Sequence, residues 1–472
     1  MTKVRLPPNR GRSWWLREAL AVDDAPETPP LAGDTAADVV VLGGGYTGMW
    51  TAWFVKELEP EADVVVLEQD ICGGGPSGRN GGFLNSFWSG LPHLTSKFGD
   101  AGTLRLCEAG EASVDAIGAF CAEHGIDAWY RADGDMAAAS SPAQIGEWAD
   151  LVITADRLGL TDTYTVLTRD EVRAKIDSPV LHGGVYTSHG ATVQPARLAR
   201  GLRRVLIERG VRIYEGTPVT RFGTGDPAVA HTAAGSVKAG AGVIALNAWA
   251  AHWKRFRRAL TVRGSYIVMT APAPDRLHEI GWNDGMGLSD YRAALHYVRT
   301  TPDGRIAMGV GGLQPDLARR IDPRFAYDER SIAIAIADLH RMFPQIRDVP
   351  IEAGWGGPID VAGGHVPFFG TFERGNVHYG LGYTGNGVGP SHLGGQILVR
   401  RALGADGSVL ELPIVDLRPK AFPPEPFRSP GAFVANQAIL RKDQAEDQGR
   451  EPSPLVDFVA RLPRRLGYDL GP

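Results

Sequence analysis

Residues 38–68 constrain the fold most. Residues 38–42 (DVVVL) form a short apolar, β-branched run of the kind that makes a strand buried on both faces. Gly43, Gly45 and Gly48 follow at once in GxGxxG register. Residues 49–58 then carry a helical pattern, and residues 62–67 (ADVVVL) form a second buried strand that ends in Glu68, 20 residues after Gly48. A strand, a glycine turn, a helix and a strand ending in an acid make a βαβ unit that binds a dinucleotide. Gly43 permits the turn, Gly45 lets backbone approach a pyrophosphate, and Gly48 allows close helix packing, while the helix N-terminus offers N–H groups and a positive dipole end. Glu68 accepts hydrogen bonds from an adenosine ribose, which argues against a 2′-phosphate there.

At 472 residues the chain is long for a single core, so two domains or one interrupted domain is expected. Its 60 glycines, about 13% against a usual 7%, imply many tight turns or close approaches of backbone to a ligand. With 49 basic and 54 acidic residues, the net charge of −5 gives no electrostatic reason to favour nucleic acid or an anionic membrane. Cys72, Cys107 and Cys121 form neither a disulfide framework nor a CxxC site, so no metal centre is expected. The N-terminus lacks an apolar signal core and no run of 18 apolar residues occurs, which points to a soluble, cytoplasmic protein.

Helices are expected over 104–124 and 144–158, a capping box at Thr168 and Glu171, and a helix opened by Pro195 that stops at Gly210. The pattern changes near 259. Residues 261–270 read as a strand, and 295–310 as a hairpin about Pro302-Asp303-Gly304, which suggests a separate antiparallel sheet. A helical segment over 329–343 follows, then a last helix over 391–402, a Pro-rich tail and a helical patch near 431–448. A second formal glycine match, Gly380, Gly382 and Gly385, has no strand ending in an acid after it. It reads as a loop that brings backbone and a helix N-terminus against a ring system, where negative charge is stabilised.

The motifs GGGYTG with Glu68, SGRNGG at 77–82, QPARLARGL at 194–202, ALNAW at 245–249, WGGPID at 355–360, PFFG at 367–370 and GYTGNGV at 382–388 occur in that order, with FPPEPFR at 422–428 in the tail. In this set the chain resembles FAD-dependent oxidoreductases of the D-amino-acid oxidase, glycine oxidase and sarcosine oxidase family, in particular the gamma-glutamylputrescine oxidoreductase branch. The resemblance implies an α/β fold: a Rossmann-type FAD-binding domain built from discontinuous segments, and a substrate domain with an antiparallel sheet. The expected segments are 36–95, 180–258 and 350–410 for FAD, and 96–179 and 259–349 for substrate, between an arm at 1–35 and an extension at 411–472. It implies cofactor contacts at Thr47, Ser77, Arg79, Asn80, Gly81, Gly82, Val219, Asn247, Gly385, Asn386, Gly387 and Val388. Many relatives carry His where Asn386 stands, and Asn cannot titrate.

Amine oxidation by flavin removes a hydride from the carbon beside nitrogen, so the protein need supply no nucleophile, and no catalytic base is named. Tyr266, Trp355, His365 and Tyr383 are candidates for the substrate pocket, each with an ordinary structural alternative. Covalent attachment of flavin is disfavoured because 340–400 contains no Cys and SGRNGGF has no adjacent His. Cys72 remains a candidate, although a small apolar residue beside a glycine turn explains it better. The expected activity is oxidation of an amine or amino acid to an imine that hydrolyses, with dioxygen as acceptor and hydrogen peroxide as product. Alternatives are an amine dehydrogenase with another acceptor and a flavin-containing subunit without turnover. A small-molecule substrate is the expected partner; an oligomer is compatible.

Overall fold

Two eight-stranded sheets organise the chain in the computed structural model, which describes residues 6–315 and 321–468. In the first, Thr35–Leu42 is central. It runs parallel to Val64–Leu67 on one side and to Ser236–Ile244 on the other, with Val39 to Leu42 opposite Val64 to Leu67. Arg212–Tyr214 extends the sheet beyond Val64–Leu67, and Val377–Leu381 with Phe368–Thr371 extends it beyond Ser236–Ile244. The apolar runs become central strands because layers cover both faces: Val39 to Val41 and Val64 to Val66 are wholly buried. The helices Tyr46–Leu58 and Val388–Leu403 pack closely on one side, and a Cβ at Gly395 would lie 2.7 Å from Trp50 Cβ.

The second sheet has the order Ile351–Ala362, Leu260–Thr270, Ile306–Pro315, His296–Thr300, Gly287–Asp290, Asp135–Ala138, Gly184–Thr187, Thr165–Leu167. All its pairs are antiparallel except Gly287–Asp290 with Asp135–Ala138. The hairpin expected about 301–304 is present, with Gly304 at φ 82°. The sheets divide the chain differently from the segments expected: Ile351–Ala362 and Gly184–Thr187 pair in the second sheet, not in the first. Local pattern identifies both as strands, but only long-range pairing selects the sheet.

The helix expected over 104–124 is the end of a longer one, Leu91–Glu123, kinked at Gly99 (φ 68°). That over 144–158 is shorter, Ala149–Arg157. Thr168 and Glu171 close their capping box, and Pro195 opens the helix Pro195–Glu208. The tail forms two helices, Arg428–Asp447 and Pro454–Arg465, the second of which sequence patterning did not single out. Among the described residues no helix is long and apolar enough to cross a membrane, and no group of three or more His, Cys, Asp or Glu could hold a metal.

Candidate functional site

A cavity of about 470 Å³ opens at the carboxyl ends of the central strands of the first sheet. Gly43, Gly45 and Thr47 line it. Gly43 sits at φ 108°, where a Cβ would lie 2.5 Å from the Ala245 carbonyl oxygen, so the turn accepts no side chain. Gly45 is the N-cap of Tyr46–Leu58, and the Tyr46 N–H donates instead to Ser77 Oγ at 2.9 Å. Gly48 is away from the cavity, where a Cβ would lie 2.0 Å from the Gly43 carbonyl oxygen. Glu68 forms the acid edge. Burial pushes its carboxyl up, while backbone N–H groups of Asp70 (2.9 Å) and Gly44 (2.8 Å) pull it back. A carboxylate has about four lone-pair sites, so these two bonds leave capacity for a ribose diol.

The loop after Glu68 forms the next wall. Ser77, Arg79 and Asn80 line the cavity; Gly81 and Gly82 do not. Asn80 Oδ1 accepts the Gly82 N–H at 2.7 Å, and a Cβ at Gly81 would lie 2.8 Å from the Tyr297 ring. Arg79 donates to the carbonyls of Gly74 (3.0 Å), Gly356 (3.2 Å) and Gly11 (3.1 Å). It therefore ties the loop to the second sheet and to the N-terminal arm.

Opposite lie Val219, Asn247, Gly385, Gly387 and Val388, and all five line the cavity. Asp360 at the end of its strand is wholly buried. It accepts from Asn247 Nδ2 (3.0 Å) and the Gly382 N–H (2.5 Å), and burial pushes its carboxyl up to about 6 against the pull of backbone N–H groups, that of Gly382 first. One carboxylate thus fastens both the 3-10 turn Asn247–His252 and the glycine loop. Asn386 is exposed and outside the cavity lining, its N–H donating to the Tyr383 carbonyl.

Of the pocket candidates, Tyr383 lines the cavity and its hydroxyl accepts from Thr47 Oγ1 at 3.0 Å. Tyr266, Trp355 and His365 do not line it. Tyr266 is in the core behind the second sheet with its hydroxyl donating to the Arg324 carbonyl, and Trp355 Nε1 donates to the Arg79 carbonyl at 2.9 Å. His365 lies in a loop at φ 52°. Cys72 is wholly buried, its thiol pushed well up by burial.

Residues not anticipated also meet here. Trp249, the last residue of ALNAW, and Trp253 line one wall, and Asp322 and Phe325 reach it from the segment before the helix Glu329–Met342. Tyr297, from the second sheet, lies against Gly81, and its hydroxyl shares a 2.6 Å hydrogen bond with Ser265. ALNAW offered a signal for Trp249. Nothing in their local patterns marks the others.

The site fits an extended dinucleotide: side chains at Gly43 and Gly45 would occupy the turn and the cavity, a helix N-terminus faces in, and Glu68 keeps accepting capacity. Escherichia coli K12 gamma-glutamylputrescine oxidoreductase is 29% identical over 375 residues, covering 76% of this chain and 82% of that protein. A Rhizobium meliloti protein described as probable oxidoreductase OrdL is 26% identical over 93% of this chain and 99% of its own length. The crystal structure of glycine oxidase from Geobacillus kaustophilus superposes with a TM-score of 0.68 at 20% identity, over 81% of this chain and 99% of that one. The family model for FAD dependent oxidoreductases (DAO) matches residues 38–401, from the first nucleotide strand to the helix that follows the glycine loop. The chain therefore belongs to the FAD dependent oxidoreductase family and is an enzyme of that class.

Proposed function

We propose that this enzyme oxidises an amine or amino acid at the carbon next to nitrogen, with non-covalently held FAD, and that dioxygen is the final acceptor. The observation that carries the reading is the glycine-walled cavity of the βαβ unit, bordered by the loop that joins it to an antiparallel sheet. FAD, when bound, supplies the acceptor for the hydride.

Gly43, Gly45 and the N-terminus of Tyr46–Leu58 would hold the pyrophosphate, and Glu68 the adenosine ribose. Thr47, Ser77, Arg79, Asn80, Val219, Asn247 and Gly385 to Val388 would form the remaining contacts. Gly81 and Gly82 would act by letting the second sheet approach, and Asn386 by its backbone alone. Tyr383 and Tyr297 would shape the substrate side and keep water out. The substrate loses a hydride from carbon and a proton from nitrogen, giving an imine. Water converts this to a carbonyl compound and ammonia or a smaller amine, while dioxygen takes two electrons and two protons to become hydrogen peroxide.

The test is anaerobic mixing of the purified yellow protein with a panel of primary and secondary amines and amino acids, followed by admission of air. Bleaching by at least one amine and peroxide formed in proportion support the reading. Bleaching without peroxide, with turnover only on an artificial acceptor, identifies a dehydrogenase; reduction by NADPH or an alcohol but by no amine overturns the amine chemistry. Acid precipitation should leave the yellow colour in the supernatant, and colour in the pellet contradicts non-covalent binding.

A further inference from the structure

The family match begins at residue 38, so the N-terminal arm lies outside it, yet the arm reaches the cavity wall. Arg12 pairs both guanidinium nitrogens with Asp70, one bond at 2.8 Å and a second, shorter one from Nη1. Asp70 lines the cavity two residues beyond Glu68. The pair lies on backbone of the same wall: a Cβ at Gly74 would stand 2.5 Å from Asp70 Oδ2 and 3.1 Å from Arg12 Nη1. Neighbouring arm residues are fixed as firmly. Ser13 is wholly buried and donates to the Gly78 carbonyl at 2.5 Å, and the Gly11 carbonyl accepts from Arg79. Trp15, also wholly buried, packs edge-on against Trp355 at 6.1 Å.

The charges at this edge are unfavourable for an anionic ligand without the arm. Asp70 and Glu68 both line the cavity, and an uncompensated carboxylate there repels an anionic cofactor entering the same cavity. Arg12 faces Asp70, which holds its guanidinium more basic than usual against the opposing effect of burial; Glu215 and Glu68 add to this at longer range. Arg79, the neighbouring cation, donates to three backbone carbonyls rather than to Asp70.

We infer that Arg12 is a positioning residue for the cofactor: by neutralising Asp70 and fixing the 70–79 wall, the arm sets the affinity for FAD, so the cofactor site extends beyond the family domain. This rests on the reading that FAD occupies the cavity. Loss of the arginine leaves Asp70 as an uncompensated negative charge at the cavity edge, and removal of that charge should restore binding.

Apoprotein variants titrated with FAD, followed by quenching of flavin fluorescence, test this. Arg12→Ala should raise the Kd at least fivefold, Arg12→Lys less, and Arg12→Ala combined with Asp70→Asn should return to within twofold of the parent. A double variant as weak as Arg12→Ala overturns the charge argument and leaves only a structural anchor; unchanged affinity in Arg12→Ala overturns the inference outright. Should Arg12→Ala be unfolded by circular dichroism, Arg12→Gln, which removes the charge but keeps a polar side chain, carries the same expectations. Gly45→Val separates the two readings. If it retains full affinity, the cofactor seat itself is misassigned; if it abolishes binding while Arg12→Ala does not weaken it, this inference alone fails.

Discussion

Gly45 and Glu68 carry the most direct residue-scale expectations. Gly45 faces the cavity, and beyond its Cβ, which would already lie 3.0 Å from Ser77 Oγ, the branches of a valine would occupy the space proposed for phosphate. Gly45→Val is expected to lose FAD binding while far-UV circular dichroism is largely kept, and a fully flavinated variant would contradict the phosphate seat. Glu68→Gln should weaken binding more mildly, since one charge-assisted hydrogen bond contributes roughly 1.5–3 kcal/mol. Asp360 gives a pH expectation. Burial pushes its folded carboxyl up to about 6 from the ordinary 3.8. A raised folded pKa gives a contribution to stability that is complete below the unfolded value and lost as pH rises through the folded one, here between about pH 4 and 6. The full change corresponds to roughly 3 kcal/mol. The difference in Tm between the parent and Asp360→Asn should therefore shift in favour of the variant between pH 4 and pH 7. A constant difference across that range would show that Asp360 titrates alike in the folded and unfolded protein, so that burial does not raise its carboxyl.

At the scale of elements, the helix Arg428–Asp447 is held by ions more than by apolar contacts. Arg292, only 6% exposed, faces Asp338 (3.4 Å), Asp443 (3.8 Å) and Asp447 (3.2 Å), and Arg341 also reaches Asp447. Beneath them wholly buried His296 bridges Asp290 (2.8 Å) and Asp338 (3.0 Å). Burial, the largest single effect, favours neutral His296, but Asp290 and Asp338 together outweigh it and raise the imidazole above its usual value. Removing Arg292 leaves carboxylates buried without their cation, a loss of about 3–5 kcal/mol. Arg292→Met is expected to lower Tm and to speed proteolysis in the 428–447 helix before the core; equal cleavage rates in parent and variant would contradict this latch. Such long-range pairing also explains what was legible in the sequence. The βαβ unit could be read because burial on both faces demands continuous β-branched runs, and SGRNGG only through its resemblance to a family motif. Tyr266 was a pocket candidate, yet parity along its strand turns it into the core, while Ser265 beside it meets Tyr297 on the opposite face. Nothing within a few residues of Arg12 reveals that its partner is Asp70, 58 positions away.

For the whole molecule, the join between the sheets governs the chemistry proposed. Arg79, Trp355 and the N-terminal arm close one edge, Phe325 and Asp322 cover another, Tyr383 lines the cavity, and the Tyr297 ring packs against Gly81. Burial pushes the Tyr297 hydroxyl up to about 12 and raises Tyr383 further, so neither phenol ionises between pH 6 and 10. Hydride transfer requires a free nitrogen lone pair, and an aliphatic amine with a pKa of about 10 is three units from that state at pH 7, or roughly 4 kcal/mol. Withdrawal of the bound amine from water would disfavour the ammonium ion and lower the amine's pKa. With an amine that bleaches the flavin, the rate of reduction at saturating substrate should rise with pH through one inflection below the pKa of the free amine. Because the tyrosines stay neutral throughout, that inflection should move when a less basic amine of similar shape is substituted. A rate-limiting chemical step that is flat from pH 6 to 10, in folded protein with FAD bound, would rule out the amine's own proton as the controlling one. An inflection that stays fixed across amines of different basicity would assign it to the protein instead.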